Sequence, residues 1–153
     1  MGTRYKGNSR EVQSLDAFIK LKRASESIST RLYPSLQEYG LTESQLGVME
    51  ALYHLGSMCQ KELGAKILKS TGNITLVIDN LEKRNLVQRI RSTEDRRYIS
   101  IVLTEQGSKL ISEFMPLHVK SITNEMSILS KEELDQLQKI CKKIGLQNSD
   151  CTS

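Results

Sequence analysis

The chain has 153 residues, of which 38% are hydrophobic and 26% charged, and its formal net charge is +4. This length and composition are typical of one or two compact domains. The longest stretch without Asp, Glu, Lys or Arg is the ten residues 51–60, about half of a membrane-spanning helix, so the sequence excludes a transmembrane segment.

The positive charge is concentrated in one short segment. Residues 83–97 hold six basic and two acidic side chains, a local charge of +4, so the rest of the chain sums to zero. The basic residues are Lys83, Arg84, Arg89, Arg91, Arg96 and Arg97. Such a cluster favours an anionic partner, although part of it can instead pair with Glu82, Glu94 or Asp95 on the protein's own surface.

Export signals and the common catalytic and metal-binding patterns are missing from the sequence. The first ten residues, MGTRYKGNSR, are polar, and three cysteines (Cys59, Cys141 and Cys151) match neither a disulfide framework nor a zinc pattern. His54 and His118 stand alone, without a phosphate-binding glycine loop or a nucleophile elbow. We therefore expect a cytoplasmic protein that is not an enzyme and has no metal or cofactor.

The first half of the chain has the periodicity of helices. Residues 1–10 are expected to form a flexible arm. From Glu11 to about Tyr33 apolar residues recur at intervals of three and four, which predicts a helix that Pro34 ends or kinks. Thr42 and Gln45 form a capping box that opens a second helix ending near Gly56.

Two further helices are expected before residue 86. The third runs from about Gln60 to Leu68, and the fourth from about Gly72 to Arg84. Ser70 or Thr71 can cap the fourth helix, and Asn85 at its end tolerates the left-handed conformation in which glycine is more usual.

The apolar period then changes from 3.6 to 2, which is typical of strands. Residues 86–91 and 98–103 each alternate in polarity, and the polar sequence STEDRR lies between them, so we expect a β-hairpin with a charged, projecting tip. Thr104 is expected to cap a helix that is kinked near Pro116, and Ser130 with Glu133 forms a capping box for a final helix.

Three helices followed by a hairpin with a cationic tip are the element order of a winged helix-turn-helix. The predicted fold is therefore mainly α with a small β-hairpin, in which a winged helix-turn-helix is flanked by N- and C-terminal dimerisation helices. The predicted divisions are a flexible arm at 1–10, an N-terminal dimerisation helix at 11–39, a DNA-binding lobe at 40–103, C-terminal dimerisation helices at 104–145 and a flexible tail at 146–153.

The hairpin sequence RIRSTEDRRYISIVLTEQG resembles the wing signature of the MarR family of bacterial transcription regulators. The matching features are Arg89 or Arg91 before the tip, Asp95 with Arg97 inside it, and a strand that ends in Leu-Thr-x-x-Gly, here Leu103, Thr104 and Gly107. The segment GNITLVIDNLEKRNLVQR is similar to the family's recognition helix. Two positions depart from the pattern, because Leu76 stands where many members have arginine and Asn85 stands where glycine is usual.

The predicted fold and the resemblance together imply a DNA-binding surface. Candidate contacts to base edges and phosphates are Ser70, Thr71, Asn73, Thr75, Asn80, Lys83, Arg84, Arg91, Arg96 and Arg97. By resemblance, Asp95 braces the wing. The expected partner is a pseudo-palindromic operator in double-stranded DNA, bound by a homodimer whose terminal helices cover each other's apolar stripes.

The resemblance also implies regulation, and here alternatives remain open. Members are commonly released from DNA by small aromatic or phenolic ligands, and Tyr33, Tyr39, Met49, Tyr53 and His54 could line such a cleft, although core packing is the favoured role for most of them. The first expectation is a repressor of its own and neighbouring genes. The alternatives are a thiol-based redox sensor using Cys59, or a winged-helix module that binds a protein instead of DNA.

Overall fold

The computed structural model describes residues 2–67 and 71–146, which form six helices and three short strands. The elements are α1 (Ser9–Glu38), α2 (Glu43–Leu55), β1 (Met58–Cys59), α3 (Gln60–Lys66), α4 (Thr71–Lys83), β2 (Val87–Arg91), β3 (Ile99–Leu103), α5 (Glu105–Met126) and α6 (Lys131–Gly145). Within the described ranges, no helix has the length and hydropathy needed to span a membrane.

Helix α1 is longer than the sequence predicted at both ends. Asn8 caps it, since the Asn8 side chain accepts from the Glu11 amide and the Glu11 carboxylate accepts from the Asn8 amide, so the expected arm ends earlier than residue 10. The helix continues through Pro34 to Glu38. It is closed by Gly40 at φ +63°, with the Leu41 amide donating to the Leu36 carbonyl over 3.0 Å.

The helix-turn-helix core follows as expected. Thr42 and Gln45 form the predicted capping box of α2, and α2 ends at Gly56, where φ is +83°. Helix α4 buries Ile74, Ile78 and Leu81 against the core. Asn85 follows α4 in the left-handed conformation at φ +56°, as its side chain predicted.

The sheet has one strand more than the predicted hairpin. β2 and β3 pair antiparallel with Arg89 opposite Ile101, and β1 pairs antiparallel with the other edge of β3, with Met58 opposite Ile101. The strand order is therefore β1-β3-β2, with β3 in the middle. β1 has only two residues, too few to show an alternating pattern in the sequence.

A tight junction joins the sheet to α5. The Thr104 side chain accepts from the Gly107 amide over 2.9 Å and donates to the Asn85 carbonyl over 2.6 Å. A Cβ atom on Gly107 would lie 1.9 Å from the Leu86 carbonyl oxygen, so only glycine fits at this position. The Leu-Thr-x-x-Gly sequence is therefore a structural motif that packs the start of α5 against the segment leading into β2.

The chain divides into two compact units, Met1–Leu117 and His118–Ser153. The buried hydrophobic core includes Leu36, Met49, Leu63, Ile78, Leu81, Val87, Ile101, Ile111 and Phe114, all in the first unit. In the second unit, Ser130 and Glu133 form the capping box predicted for α6, and none of the fifteen residues of α6, all described, is buried. Helix α5 continues through Pro116.

Candidate nucleic-acid interface

Among the described side chains of α4, four lie at intervals of three and four, which places them on one outward helix face. They are Asn73, Leu76, Asn80 and Lys83. Asn73 and Lys83 are exposed, Asn80 is partly exposed, and Leu76 is 60% exposed. We call these four residues the reading face. Its side chains are two amides, one leucine and, at the C-terminal end of α4, one cation.

The remaining predicted contacts on α4 are placed differently. Thr75 is half-buried and its hydroxyl accepts from the Gln60 side chain, which links α4 to the start of α3. Ser70 lies outside the described residues. Thr71 begins α4, but its side chain also lies outside the description. Thr75 therefore has a partner within the protein.

Arg89 binds two carboxylates of α4. One guanidinium nitrogen lies 2.6 Å from an Asp79 carboxylate oxygen, and another lies 2.5 Å from Glu82. Partial burial lowers the pKa of Arg89, but the hydrogen bonds and charges of Asp79 and Glu82 raise it more, so the net shift is upward. Arg89 is therefore an arginine of the basic segment that pairs with carboxylates of the protein itself, and it joins β2 to α4.

Arg84 is also engaged within the protein. Its guanidinium donates to the Gly40 carbonyl over 2.5 Å and to the Tyr39 carbonyl over 3.2 Å. These carbonyls follow the last turn of α1, so Arg84 connects the end of α4 to the end of α1. We expected Arg84 to contact phosphate; its side chain is exposed but holds this turn, so we assign it to the turn and do not include it in the proposed interface.

The tip of the wing is held by hydrogen bonds to its own backbone. The Ser92 hydroxyl accepts from the amides of Glu94 and Asp95, each over 3.2 Å. The Asp95 carboxylate accepts from the Arg97 amide over 3.0 Å, and the Asp95 carbonyl accepts from the Tyr98 amide over 3.0 Å. Asp95 therefore lies where it can brace the tip, through the Arg97 backbone amide.

The basic segment thus separates into two groups. Arg89 and the exposed Arg84 donate hydrogen bonds to groups of the protein, whereas Lys83, Arg91, Arg96 and Arg97 are exposed and their side chains have no hydrogen bond or ion pair within the described residues. The four exposed cations lie at the exit of α4, on β2 and at the wing tip. The composition of the segment does not show this separation, because the partners are specific groups elsewhere in the chain. Arg89 binds carboxylates seven and ten positions away, and Arg84 binds carbonyls more than forty positions away.

The five residues predicted to line a ligand cleft do not come together. Met49 is fully buried, and the Tyr39 ring packs edge-on against Phe114 with centroids 4.9 Å apart. Tyr53 packs edge-on against the His54 ring at 5.1 Å, and Tyr33 is 48% exposed. Tyr39 and Met49 therefore belong to the core, which is the role that the sequence analysis favours for most of these five residues.

The concavities of the first unit lie elsewhere. A cleft of about 580 Å³ between α2 and the end of α3 includes His54. Its lining residues are Glu43, Ser44, Gly47, Glu50, Ala51, His54, Leu55, Lys66 and Ile67. Tyr33 lines a smaller concavity, of about 260 Å³, with Glu26 and Thr30. His54 and Tyr33 thus border different clefts.

Cys59 is half-buried at the N-terminus of α3, beside a carboxylate. Its backbone amide donates to Glu62 over 2.8 Å, and this bond together with a hydrogen bond from the Cys59 side chain lowers the pKa of Glu62. The negative charge of Glu62 in turn raises the pKa of Tyr98 at the base of the wing. The half-buried thiol of Cys59 therefore lies beside a carboxylate to which it donates a hydrogen bond. Cys141 is exposed on α6, and Cys151 lies outside the described residues.

Across residues 2–67 and 71–146, no group of three or more His, Cys, Asp or Glu side chains is arranged to hold a metal ion. The surface that the structure does assemble from the predicted residues is the reading face together with the exposed cations. It combines hydrogen-bonding amides on a projecting helix with guanidinium groups on a slender hairpin. This combination suits a major groove and the adjacent phosphates.

Comparisons with known proteins point to the same chemistry. The model of the MarR family matches residues 41–99. The HTH-type transcriptional regulator MhqR of Bacillus subtilis is 37% identical over 134 residues, which cover 88% of this chain and 92% of MhqR.

Solved structures share the fold. AbsC, a MarR family transcriptional regulator from Streptomyces coelicolor, superposes with a TM-score of 0.81 at 27% identity, covering 94% of this chain and 96% of AbsC. Bordetella bronchiseptica BpsR, whose DNA binding is regulated by 6-hydroxynicotinic acid, has a TM-score of 0.76 at 22% identity, covering 86% of this chain and 91% of BpsR. The match to MhqR over most of both chains, the winged helix-turn-helix and its exposed cationic surface show that this chain belongs to the MarR family of DNA-binding transcription regulators, which are not enzymes.

Proposed function

We propose that the protein is a homodimeric transcriptional repressor that binds a pseudo-palindromic operator, with α4 in the major groove and the wing tip at the minor groove. The observation that carries the proposal is the separation of the basic residues. Arg84 and Arg89 donate hydrogen bonds within the protein, while the exposed side chains of Lys83, Arg91, Arg96 and Arg97 along the exit of α4 and the wing leave their donors for a partner.

Each exposed cation is assigned a position on the duplex. Lys83 ends the reading face, where the recognition helix leaves the groove and meets the phosphate backbone. Arg96 and Arg97 lie at the tip of a narrow hairpin, and guanidinium groups of this kind are attracted to the negative potential of a narrow minor groove. Arg91 on β2 lies between these positions along the chain and is assigned to phosphate.

The proposed dimer rests on apolar surface that each unit leaves uncovered. Of the thirty residues of α1, all described, Leu36 alone is buried, and Phe18 is 60% exposed. In the second unit, Ile140 of α6 is 57% exposed and Ile144 is 49% exposed. Exposed apolar stripes on long helices mark an interface. Burial of apolar area stabilises association by about 25 cal/mol per Å² before the entropic cost is counted.

A two-fold dimer carries two reading faces. Half-sites are therefore expected about one helical turn apart, roughly 34 Å, on one side of the duplex. Because such a protein acts on chromosomal DNA, we propose a cytoplasmic location. Repression of its own and neighbouring genes is the proposed outcome, tested by a reporter fused to the upstream region, whose expression should rise when the gene is deleted.

We further propose that a small aromatic or phenolic ligand releases the protein from DNA. Support comes from BpsR, which 6-hydroxynicotinic acid regulates, and from the cleft of about 580 Å³ beside His54, which is large enough for a single substituted ring. A thiol switch at Cys59 is the less favoured alternative, because Glu62 lies against that cysteine.

The DNA-binding proposal is tested by salt dependence. Fluorescence anisotropy with the chain's own upstream region should give a steep loss of affinity with rising salt, and the double change Arg96→Ala with Arg97→Ala should reduce the magnitude of the slope by about 1 to 2 units. The matched control is Lys142→Ala with Lys143→Ala, which removes two adjacent exposed cations from α6.

The two double variants must differ for the proposal to stand. An unchanged slope for the wing variant, or an equal change for the α6 variant, would refute the assignment of the wing to DNA. The ligand proposal is tested in the same assay by adding 6-hydroxynicotinic acid and a panel of hydroxybenzoic acids, with His54→Ala as the variant that should respond less. Release by none of these compounds would remove the support for an aromatic ligand.

A further inference from the structure

One side chain of the reading face is explained neither by phosphate binding nor by hydrogen bonding to bases. Leu76 is 60% exposed. The other aliphatic side chains of α4 point inward, since Ile74, Ile78 and Leu81 are at most 1% exposed and Val77 packs against the core. The outward position of Leu76 therefore leaves apolar area in water on the helix that is proposed to enter the major groove.

Leu76 lies where a recognition helix meets base edges. It is the sixth residue of α4, within the first two turns, and the N-terminal part of such a helix contacts bases. Asn73 lies three positions before it and Asn80 four positions after it on the same face. The leucine is thus placed between two amide side chains, with the cation Lys83 at the far end of the face.

The major groove offers one apolar group to such a side chain. Guanine, cytosine and adenine are recognised there through hydrogen-bond donors and acceptors, whereas thymine alone adds a methyl group, at C5. An aliphatic side chain gains by covering that methyl group, and opposite any other base it would desolvate polar edges without replacing their hydrogen bonds. The complementary surface for Leu76 is therefore an A·T pair.

We propose that Leu76 is a specificity-determining residue that selects an A·T pair in each half-site by packing against the C5-methyl group of thymine. The neighbours on the reading face agree with this preference, because an asparagine amide pairs best with the N6 and N7 edge of adenine. The inference rests on the proposed docking of α4 in the major groove and adds the base that one position of α4 recognises.

Replacement of thymine by deoxyuridine tests the contact directly, since it removes the methyl group and keeps every hydrogen-bonding atom of the base. A duplex is first selected with the full-length protein from a random 30-base-pair library. Each thymine of the selected duplex is then replaced singly, and the dissociation constant is measured by fluorescence anisotropy. One position per half-site should bind about fourfold more weakly, as expected for losing the burial of one methyl group.

The protein variants show whether Leu76 makes that contact. In Leu76→Ala the deoxyuridine penalty at this position should disappear. Ile128→Ala is the matched control, because Ile128 between α5 and α6 is 86% exposed and lies outside the reading face, so the penalty should remain fourfold. Leu76→Arg should lose the preference for thymine and gain one for guanine, which arginine binds through O6 and N7.

The possible results distinguish a failure of the Leu76 contact from a failure of the proposed DNA binding by α4. Selection of no preferred duplex would refute the docking of α4 and the inference together. A preferred duplex whose affinity is unchanged by every deoxyuridine would refute the role of Leu76 alone. A penalty that persists in Leu76→Ala would assign the methyl contact to another residue and also overturn the inference. Circular dichroism spectra matching the unmodified protein confirm that each variant is folded.

Discussion

Arg89 of β2 is joined to Glu82 of α4 at two points. The Arg89 backbone amide donates to one carboxylate oxygen over 3.1 Å, and the guanidinium donates to the other over 2.5 Å. A second guanidinium nitrogen reaches Asp79, one turn earlier on α4. The first strand of the wing is therefore attached to the recognition helix through backbone and side chain, which fixes where the wing projects relative to the reading face.

The change Arg89→Gln should lower the free energy of unfolding by about 1 to 2 kcal/mol. It removes charge-assisted hydrogen bonds and leaves two carboxylates adjacent on α4 without the cation between them. The loss is modest because all three side chains are partly exposed, at 25% for Arg89 and about 40% for the carboxylates. Urea unfolding followed by circular dichroism measures it.

Arg91→Gln is the matched control, two residues along the same strand and exposed. Its stability should stay within about 0.5 kcal/mol of the unmodified protein, while the magnitude of the salt slope of DNA binding should fall by about 1 unit. The two variants are thus expected to affect different measurements first. Equal losses of stability in both would contradict the distinction between a structural and a DNA-facing arginine.

Gly107→Ala should destabilise the first unit strongly. The added Cβ would lie 1.9 Å from the Leu86 carbonyl oxygen and 2.8 Å from its carbon, so α5 must move away and weaken the cap at Thr104. Overpacking of this kind costs about 3 kcal/mol. Gly145→Ala at the end of α6 meets nothing within 4 Å and should have no destabilising effect. Thermal unfolding at equal protein concentration compares the two, and similar melting temperatures would show that the junction can relax.

Glu62 should make the free energy of unfolding depend on pH under acidic conditions. Hydrogen bonds from Cys59 lower the pKa of Glu62 below its ordinary value of 4.5. A carboxylate whose pKa is lower in the folded chain than in the unfolded chain stabilises the fold. This contribution is fully present above the pKa of the unfolded chain and is lost as the pH falls through the pKa of the folded chain. The stability advantage of the unmodified protein over Glu62→Gln should therefore be constant above about pH 5 and shrink towards pH 3. An advantage that does not vary between these pH values would refute this linkage.

Ile140→Lys should weaken the proposed dimer without unfolding the chain. Ile140 is 57% exposed on α6, so a lysine there meets no packing in the single chain, but it would place a charge in an apolar interface. Sedimentation equilibrium should show a dissociation constant raised at least tenfold. Lys139→Ala, an exposed neighbour, should leave the assembly unchanged. A monomeric unmodified protein at micromolar concentration would contradict the dimer itself.

Local signals predicted most of the elements. Thr42 with Gln45 and Ser130 with Glu133 mark helix starts that the structure confirms, because a capping box depends only on residues within one turn. Asn85 marks the end of α4 for an equally local reason, since its side chain tolerates a positive φ. The change from helical to alternating periodicity likewise located β2 and β3.

What the sequence did not predict depends on contacts between residues that are far apart in the chain. Pro34 does not end α1, because the last turn is held by Leu36 in the core and by the turn at Gly40. β1 exists only because β3 offers an edge more than forty positions away. The sequence left both a cleft and the core open for Tyr39 and Met49, and it is Phe114 and the core of the first unit that enclose them. None of these partners can be identified from the local sequence.

Thr104 is the one residue between β3 and α5, and its hydroxyl bonds to the Asn85 carbonyl and the Gly107 amide. A junction this short cannot absorb a change in chain length. One inserted residue would turn the start of α5 by about 100° relative to the sheet and move Gly107 away from the Leu86 carbonyl. The hairpin tip at 92–97 ends in solvent and has no such restriction. Among related proteins we therefore expect insertions and deletions in the wing tip and a fixed length between the wing and α5.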